Sequence, residues 1–264
     1  MLKIITLNML IDLTNWNLRG QCIVDEIKEL DPDIIAFQEV SLPFNTAQWV
    51  ADQLEGYQVH LVPDTGLKGK EEALALLTRI PILESTCLDL VTQNRKAQVV
   101  TFEHKYQPYT LVNTHLFWQD GHSIERLEQT KLIRSFLANY PEDYHKIICG
   151  DFNATPDSPT IQYMKEVFIS SFESFKNQDP KITFPSPLLN IVTAHDKSNQ
   201  NNNQVTNKGK IIDYIFLSKS LQSRQCEIVF RKPHHKDSKI YASDHYGLMA
   251  IIEPLNKTTI TRGK

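Results

Sequence analysis

The fold is decided by the stretch Ile147–Pro156, which reads IICGDFNATP. It begins as a short buried strand and stops at Gly150, which lets the backbone turn where a side chain would clash. Asp151 and Asn153 follow two residues apart, so in extended geometry they share a face. A carboxylate and an amide at one strand end suit phosphoryl chemistry, because one can move a proton and the other can donate to a phosphate oxygen. The alternative is an Asp/Asn-rich turn after a strand, so other motifs must decide.

The composition is that of an ordinary soluble globular protein. The chain has 264 residues, a formal charge of −3, 41% hydrophobic and 22% charged residues. This length permits one large α/β or sandwich domain as readily as two small ones. No apolar run is long enough to cross a membrane, and the N-terminus becomes polar too soon for a signal peptide. We therefore expect a cytoplasmic monomer without membrane insertion.

The cysteines and the charge balance exclude further classes. Cys22, Cys87, Cys149 and Cys226 are scattered without CxxC spacing, which indicates a reducing compartment with no disulfide framework and no zinc site. Proteins that bind the phosphate backbone of DNA usually carry an excess of basic residues, and this chain does not. A local basic patch is still compatible with the composition.

The apolar periodicity predicts alternating helices and strands in one domain over residues 1–255. We expect a mobile loop at the Asn-rich run 198–204 and a solvated tail at 256–264. The predicted helices cover residues 16–30, 45–55, 124–139 and 158–168. The predicted strands cover residues 2–7, 33–40, 57–62, 72–78, 84–90, 97–104, 109–114, 146–150, 211–217, 226–231 and 247–253.

Polar groups stand at five points where strands end or begin. A turn residue, a solvated strand terminus or a structural histidine would explain each of them alone, but not their recurrence in this order. They are Asn8, Glu39, His115, Asp151 with Asn153, and Asp213 with the pair Asp244-His245.

In this order the motifs resemble the endonuclease/exonuclease/phosphatase superfamily, which has the DNase I-like fold. The resemblance spans residues 3–252 and implies an α/β (α+β) architecture, a four-layer αββα sandwich of two packed mixed sheets flanked by helices. It also implies a divalent cation, Mg²⁺ or Mn²⁺, and hydrolysis of a phosphate ester. The matching segments are TLN (6–8), FQEV (37–40), NTHL (113–116), GDFN (150–153), IDYIF (212–216) and SDH (243–245).

The resemblance and the residue types assign the metal to Glu39, with Asn8 beside it and Asp244 as a further carboxylate. Mg²⁺ prefers carboxylate oxygens and needs few protein ligands. Asp151 would orient or deprotonate the attacking water, and Asn153 would hold a non-bridging phosphate oxygen.

Two histidines complete the expected site. His245 would donate to the phosphate while Asp213 accepts its other ring N–H, a pairing that favours the charged imidazolium. His115 should face the phosphate too. By the family pattern its partner is Glu72, seven residues before Arg79, which belongs to an Arg-x-Pro strand ending and is expected to play a supporting part.

The substrate is not determined by these motifs, because specificity in this superfamily resides in loops. Trp118 follows the histidine motif and could stack a base, or it could be a packed loop aromatic. Arg231 and Lys232 belong to a basic run that could meet phosphates, although such runs are usually just solvated.

Three functions are compatible with this sequence. The leading prediction is metal-dependent hydrolysis of a phosphodiester of nuclease type, in DNA, RNA or a DNA-end adduct. The alternative is a phosphatase or phosphodiesterase acting on small molecules or lipid head groups, which the acidic pI favours. A non-catalytic binding module on the same scaffold is the third, and the intact set of acids and histidines speaks against it.

Overall fold

The structure is a computed structural model, and it describes residues 1–42, 44–64, 72–188 and 209–255. The predicted loop at 198–204 and the predicted tail at 256–264 lie outside the described residues.

The strands form two mixed six-stranded sheets. Sheet A has the order β11-β12-β1-β2-β4-β3, and sheet B has the order β5-β6-β7-β8-β10-β9. The strands are β1 (Leu2–Asn8), β2 (Ile34–Ser41), β3 (Gln58–Asp64), β4 (Glu72–Thr78), β5 (Ile82–Asp89), β6 (Lys96–His104), β7 (Gln107–His115), β8 (His145–Asp151), β9 (Phe168–Ser170), β10 (Asp213–Ser218), β11 (Leu221–Val229) and β12 (Gly247–Pro254).

Helices cover the outer face of each sheet. The helices over 16–30 and 46–51 pack on sheet A, and those over 123–137 and 159–165 pack on sheet B, where Ile133 and Ile161 join the outer apolar layer. The helix over 171–176 packs mainly against β11, at the edge of sheet A. The helices are α1 (Trp16–Leu30), α2 (Thr46–Ala51), α3 (Ser123–Leu137), α4 (Pro159–Lys165) and α5 (Ser171–Lys176).

Apolar side chains fill three layers, and this accounts for the near-continuous hydrophobic runs of the central strands. Successive residues of a strand point to opposite faces. Ile4 of β1 therefore packs between the sheets while Ile5 packs against the helices. Cys149 lies in the layer between the sheets and is fully buried, as expected for a small core residue. The predicted four-layer αββα sandwich is confirmed.

The predicted boundaries are wrong around residue 168. We predicted one helix over 158–168, but α4 ends at Lys165 and Phe168 begins the short edge strand β9, which pairs with β10. The helix α5 that follows was not predicted. Phe168 and Phe172 are buried in different core layers, so tertiary packing overrides the helical pattern of this segment.

A buried polar bridge ties the two sheets together near one edge. Gln38 of β2 donates through Nε2 to Asn113 Oδ1 on β7 at 2.7 Å, and Asn113 Nδ2 donates back to the Phe37 carbonyl at 3.0 Å. Both side chains are fully buried, where hydrogen bonds are costly to lose. Because Glu39 follows Gln38 and His115 lies two residues after Asn113, this bridge fixes the spacing between polar groups of the two sheets.

Gly150 is required by a close approach of two strands. It has φ of +135°, and a Cβ at this position would lie 1.9 Å from the Thr114 carbonyl oxygen of β7. We expect Gly150→Ala to lower the free energy of unfolding by about 2–4 kcal/mol, through overpacking and backbone strain. Urea unfolding of the purified variant measures this loss.

Gly121→Ala is the matched control for that prediction. Gly121 has φ of +81° and nothing within 4 Å of an added Cβ, so its substitution should cost only about 1 kcal/mol. Equal losses in the two variants would show that the contact with Thr114 is unimportant.

Candidate active site

Three adjacent strands of sheet B end in one row. His115 of β7 pairs with Asp151 of β8, and Asp151 pairs with Asp213, the first residue of β10. Asn8, at the end of β1, and Glu39, near the end of β2, reach this row from sheet A. The site is therefore built from both sheets at one edge of the sandwich.

Asp151 lies at the centre of the cluster and is almost fully buried. Its Oδ2 accepts from Asn8 Nδ2 at 3.1 Å, and its Oδ1 accepts from the backbone N–H of Asn153 at 2.8 Å. Asn8 Nδ2 also donates to Glu39 Oε1 at 3.0 Å. One amide group thus holds two carboxylates in a fixed relation.

His245 and Asp213 form a buried pair on one side of Asp151. His245 Nδ1 lies 3.0 Å and 3.2 Å from the two oxygens of Asp213, and His245 Nε2 lies 3.8 Å from Asp151 Oδ2. The backbone N–H of Asp213 donates to Thr183 Oγ1 at 3.2 Å, and the Phe184 ring packs 4.8 Å from the imidazole. The imidazole is therefore held with Nε2 directed toward the centre of the site.

Neighbouring carboxylates determine the protonation states of His245 and Asp151. Burial opposes the charge of His245, but Asp213 and Asp151 outweigh it and raise the pKa of the imidazole well above its usual value. Burial, together with the neighbouring Asp213, raises the pKa of Asp151 to about 7. The site thus combines a charged imidazolium with a carboxylate that can exchange a proton near neutral pH.

His115 is the neutral histidine of the site. Its Nε2 lies 3.6 Å from Asp151 Oδ2 and 3.9 Å from Glu39 Oε1. Burial, with Arg95 and His245 nearby, lowers the pKa of His115 well below its usual value. Two carboxylates face Nε2, so the tautomer with its proton on Nε2 fits this position.

The expected hydrogen bond between Glu72 and His115 is not formed: within the described residues, His115 Nδ1 is buried and has no hydrogen-bond partner. Glu72 instead makes a buried ion pair with Arg95, the residue before β6. A buried carboxylate pairs with a guanidinium when one is near. The family pattern located the acid close to the site but assigned it the wrong partner.

Arg79 lies at the far end of β4 from the site, so the structure does not bring it into the cluster, and its supporting part stays a prediction. It follows β4, whose first residue, Glu72, is the one near the site. The strand has seven residues, so Arg79 is about 20 Å away. There it binds Asp31 and covers the Tyr57 ring at 4.4 Å.

Glu39 has the geometry expected of a metal ligand. Its backbone adopts φ of +54° where the β2–β4 register shifts, which turns the side chain out of the regular pleat. Oε2 accepts from the Ile11 N–H at 3.0 Å, and the side chain is 21% exposed. Both carboxylate oxygens are therefore held by the protein, Oε1 by Asn8 and Oε2 by Ile11, while part of the side chain remains exposed.

Asp244 adds a second carboxylate, whose charge is not neutralised by a cation in the described part of the chain. It is buried, and within the described part of the chain its carboxylate accepts only from Ser243 Oγ, at 3.2 Å, without an ion pair. Burial is the main cause that raises the pKa of Asp244, with the Glu39 charge adding to it. A buried carboxylate is costly unless a cation or hydrogen bonds compensate it. The oxygen donors of Glu39, Asp244 and Asn8 therefore fit a Mg²⁺ or Mn²⁺ ion.

Asp151, Asp213 and His245 form a second group that could hold a metal, since one ligand atom of each lies within 4.8 Å of the others. A histidine binds metal through a neutral nitrogen. The raised pKa of His245 and its engagement with Asp213 make this group a poorer metal site than the one at Glu39.

Asn153 is only partly available to a substrate. Its backbone adopts φ of +49°, and its Nδ2 donates to the Leu116 carbonyl at 3.2 Å. The amide has a second hydrogen, so donation to a phosphate oxygen is compatible with this contact.

The predicted substrate contacts are more dispersed. Trp118 is 51% exposed in the loop after β7, and its backbone N–H donates to Gln93 Oε1 at 3.1 Å. Arg231 is exposed just beyond β11. Lys232 lies 3.4 Å from Glu29 in the last turn of α1, so the structure does not bring it into the cluster.

Sequence reasoning missed two residues that organise the site. Arg19 of α1 is buried, and its guanidinium donates to the carbonyls of Met9, Leu10, Asp12 and Ala242, which orders the loops beside Glu39 and Asp244. Thr183, whose Oγ1 holds the backbone of Asp213, lies far from it in sequence. Of the two, only Arg19 could have been recognised from the sequence, because it is a charged residue one turn before Ile23 on the apolar face of a helix.

The family model of the endonuclease/exonuclease/phosphatase family matches residues 12–245. The chain belongs to this family. The family's members, by its name, are hydrolases of phosphate esters, and the predicted family and DNase I-like fold are confirmed.

Curated relatives of this family member are distant in sequence. Protein angel of Drosophila melanogaster is 24% identical over 274 residues, which cover 91% of this chain and 73% of that protein. Nocturnin of Rattus norvegicus is 26% identical over 188 residues, which cover 64% of this chain and 44% of that protein. The matched region thus spans less than half of the rat protein.

Solved structures resemble this family member over almost its whole length. D. rerio TDP2 complexed with single strand DNA product has a TM-score of 0.77 at 19% identity and covers 96% of this chain and 98% of that one. The human nocturnin catalytic domain with bound sulfate anion has a TM-score of 0.76 at 22% identity and covers 96% and 93%. At such identities the likeness establishes the fold. Separately, none of the helices in the described ranges has the length and apolar character needed to span a membrane.

Proposed function

We propose that this protein is a divalent-metal-dependent phosphodiesterase of nuclease type, which hydrolyses a phosphodiester in nucleic acid or at a DNA-end adduct. The observation that carries the proposal is the position of Asp151. It lies between the His245–Asp213 pair on one side and Glu39, joined through Asn8, on the other. This arrangement offers a proton acceptor, a charged donor and a cation site around one point.

The ion is proposed to be Mg²⁺ or Mn²⁺, held by Glu39, Asp244 and Asn8. When bound there, a divalent cation neutralises charge on the phosphate and on the leaving oxygen. The buried carboxylate of Asp244, which forms no ion pair within the described residues, supports this assignment, since it needs a positive partner.

The remaining steps belong to side chains of the chain itself. Asp151, fixed by Asn8 and Asn153, accepts the proton of the attacking water. The charged His245 donates from Nε2 to a phosphate oxygen, and Asp213 holds the other ring nitrogen. The neutral His115 donates from Nε2 at the same point.

Nucleic acid is the favoured substrate. D. rerio TDP2, which shares the fold, was solved with a single-strand DNA product. The second candidate, a phosphatase or phosphodiesterase on small molecules or lipid head groups, is favoured by the net charge of −3. A binding module without activity would have no need of the buried acids and histidines described above.

A substrate panel tests the proposal. Purified protein with Mg²⁺ or Mn²⁺ should cleave single-stranded DNA or RNA faster than phosphoinositides or a chromogenic phosphodiester. Chelation should reduce turnover by at least about 100-fold, because a Lewis acid contributes several kcal/mol to such a reaction. Restoring the metal should restore turnover.

Two results of the panel would contradict the proposal. Unchanged turnover in the presence of chelator would remove the metal from the mechanism. Cleavage of phosphoinositides alone, with no action on nucleic acid, would favour the second candidate.

A further inference from the structure

A basic pocket of about 320 Å³ lies on the flank of the sandwich, between α5 and the end of β11. Charged and apolar side chains both line it, so it offers both kinds of contact to one ligand. The residues used below are Lys176, Lys181, Arg231, Ile182, Ile228 and Tyr246.

The cations of this pocket have no acidic partner within the described ranges, and Lys176 lies over the Phe172 and Phe175 rings at 5.7 Å and 5.6 Å. Lys176, Lys181 and Arg231 form neither an ion pair nor a side-chain hydrogen bond with a carboxylate in the ranges that the structure describes. The acid that lines the pocket, Asp179, is already bound by Lys165 at 2.8 Å and by Ser170 Oγ at 3.0 Å. The pocket is therefore locally positive on a protein whose formal charge is −3.

Two short segments join this pocket to the His245–Asp213 pair. Tyr246 follows His245, and its backbone N–H donates to the Thr183 carbonyl at 2.7 Å. Thr183 in turn holds the backbone of Asp213, and Ile182 beside it lines the pocket. The pocket is therefore lined by the chain neighbours of His245 and of Thr183.

We propose that this pocket binds a second phosphate of a nucleic-acid strand, next to the phosphodiester that Asp151 and His245 address. Lys and Arg side chains neutralise backbone phosphates, and Arg matches their oxygens in a bidentate fashion. Tyr246, partly exposed beside Arg231, offers a ring for the adjoining base. This inference rests on the proposed function and names the part of the chain that recognises a strand.

The test compares two variants that each lose three positive charges, one in the pocket and one elsewhere on the surface, for their binding of single-stranded DNA. The pocket variant is Lys176→Gln with Lys181→Gln and Arg231→Gln. The matched control is Lys131→Gln with Lys105→Gln and Lys219→Gln, all exposed and outside the pocket. Both variants change the net charge equally, and circular dichroism checks that both fold.

Binding is measured first, by fluorescence anisotropy of a labelled single-stranded DNA octamer in chelator, so that no cleavage occurs. The pocket variant should bind about 10- to 100-fold more weakly, the effect of losing charge-assisted hydrogen bonds. The slope of the salt dependence should fall by about 0.7, the contribution of one phosphate contact on a single strand. The control should change little, because none of its residues lines the pocket.

Turnover with metal then separates the pocket from the catalytic centre. The pocket variant should lose kcat/KM on the octamer while its kcat/KM on bis(4-nitrophenyl) phosphate, which has a single phosphate, is unchanged. Octamer binding and cleavage equal to those of the control would overturn the inference. So would weaker binding to phosphatidylserine vesicles with unchanged octamer binding, which assigns the pocket to lipid.

Failure of the proposed function gives a different pattern. A wild-type protein that cleaves no phosphodiester, yet binds the octamer through this pocket, refutes the nuclease proposal and supports the pocket. A wild-type protein that does not bind the octamer refutes the pocket.

Discussion

Replacing Glu39 by glutamine is expected to reduce turnover by about 10²–10³-fold and to weaken the apparent affinity for Mg²⁺, with the fold retained. The two carboxylate oxygens of Glu39 accept from Asn8 Nδ2 and from the Ile11 N–H. An amide has a single oxygen, so one of these donors would face an NH₂ group. The substitution also removes the negative charge that attracts the ion. Turnover measured over a Mg²⁺ titration, with metal binding followed by calorimetry, tests both effects.

Glu103→Gln is the control for this prediction. Glu103 is exposed on β6, near the hairpin at the end of the sandwich away from the site, and its substitution removes the same charge. If the Glu39 variant and the wild type have the same turnover at limiting Mg²⁺, Glu39 is ruled out as a ligand.

Removing either member of the His245–Asp213 pair is expected to lower turnover by about 10²–10³-fold, the usual effect of losing one positioned donor to a transition state. The two side chains are both buried, and Asp213 contacts His245 Nδ1 at 3.0 Å. Each supports the other, because the imidazolium balances a buried carboxylate and the carboxylate fixes the ring and its charge. The pair should therefore act as a unit.

The measurement is a double-mutant cycle of His245→Ala, Asp213→Ala and the combination. The double variant should lose little more than the worse single variant, because residues acting as a unit are strongly non-additive. His104→Ala, at the opposite end of the sandwich, controls for the loss of an imidazole. Losses that multiply fully would show that the two residues act independently.

The fold and the core of the site follow from local sequence signals. The segment Ile147–Asp151 predicts a buried strand that ends in a polar residue. The DNase I-like pattern has the same combination at Asn8 and Glu39. Strand ends that share an edge of the sandwich must meet, so the sequence predicts the cluster that the structure shows.

Long-range contacts could not be predicted in the same way. Arg95 precedes β6 and gives no sign that it will pair with Glu72 on the other sheet. Arg79 follows a strand that runs antiparallel to β2, so its distance from the site depends on strand direction, which the motif does not contain. Thr183 reaches Asp213 from a segment without regular structure.

The topology of sheet A has a consequence for protein synthesis. Its strand β1 lies between β2, which comes early in the chain, and β12, which is the last strand in the described part. All of sheet B is encoded in between. The ribosome therefore synthesises Asp244 and His245 after all the other residues of the site, which are Asn8, Glu39, His115, Asp151 and Asp213. Domains tend to fold as units during translation, so a nascent chain stalled before residue 243 has an unpaired β1 edge and no imidazole beside Asp213. On the proposed function, hydrolytic activity would therefore begin only after Asp244 and His245 have been synthesised.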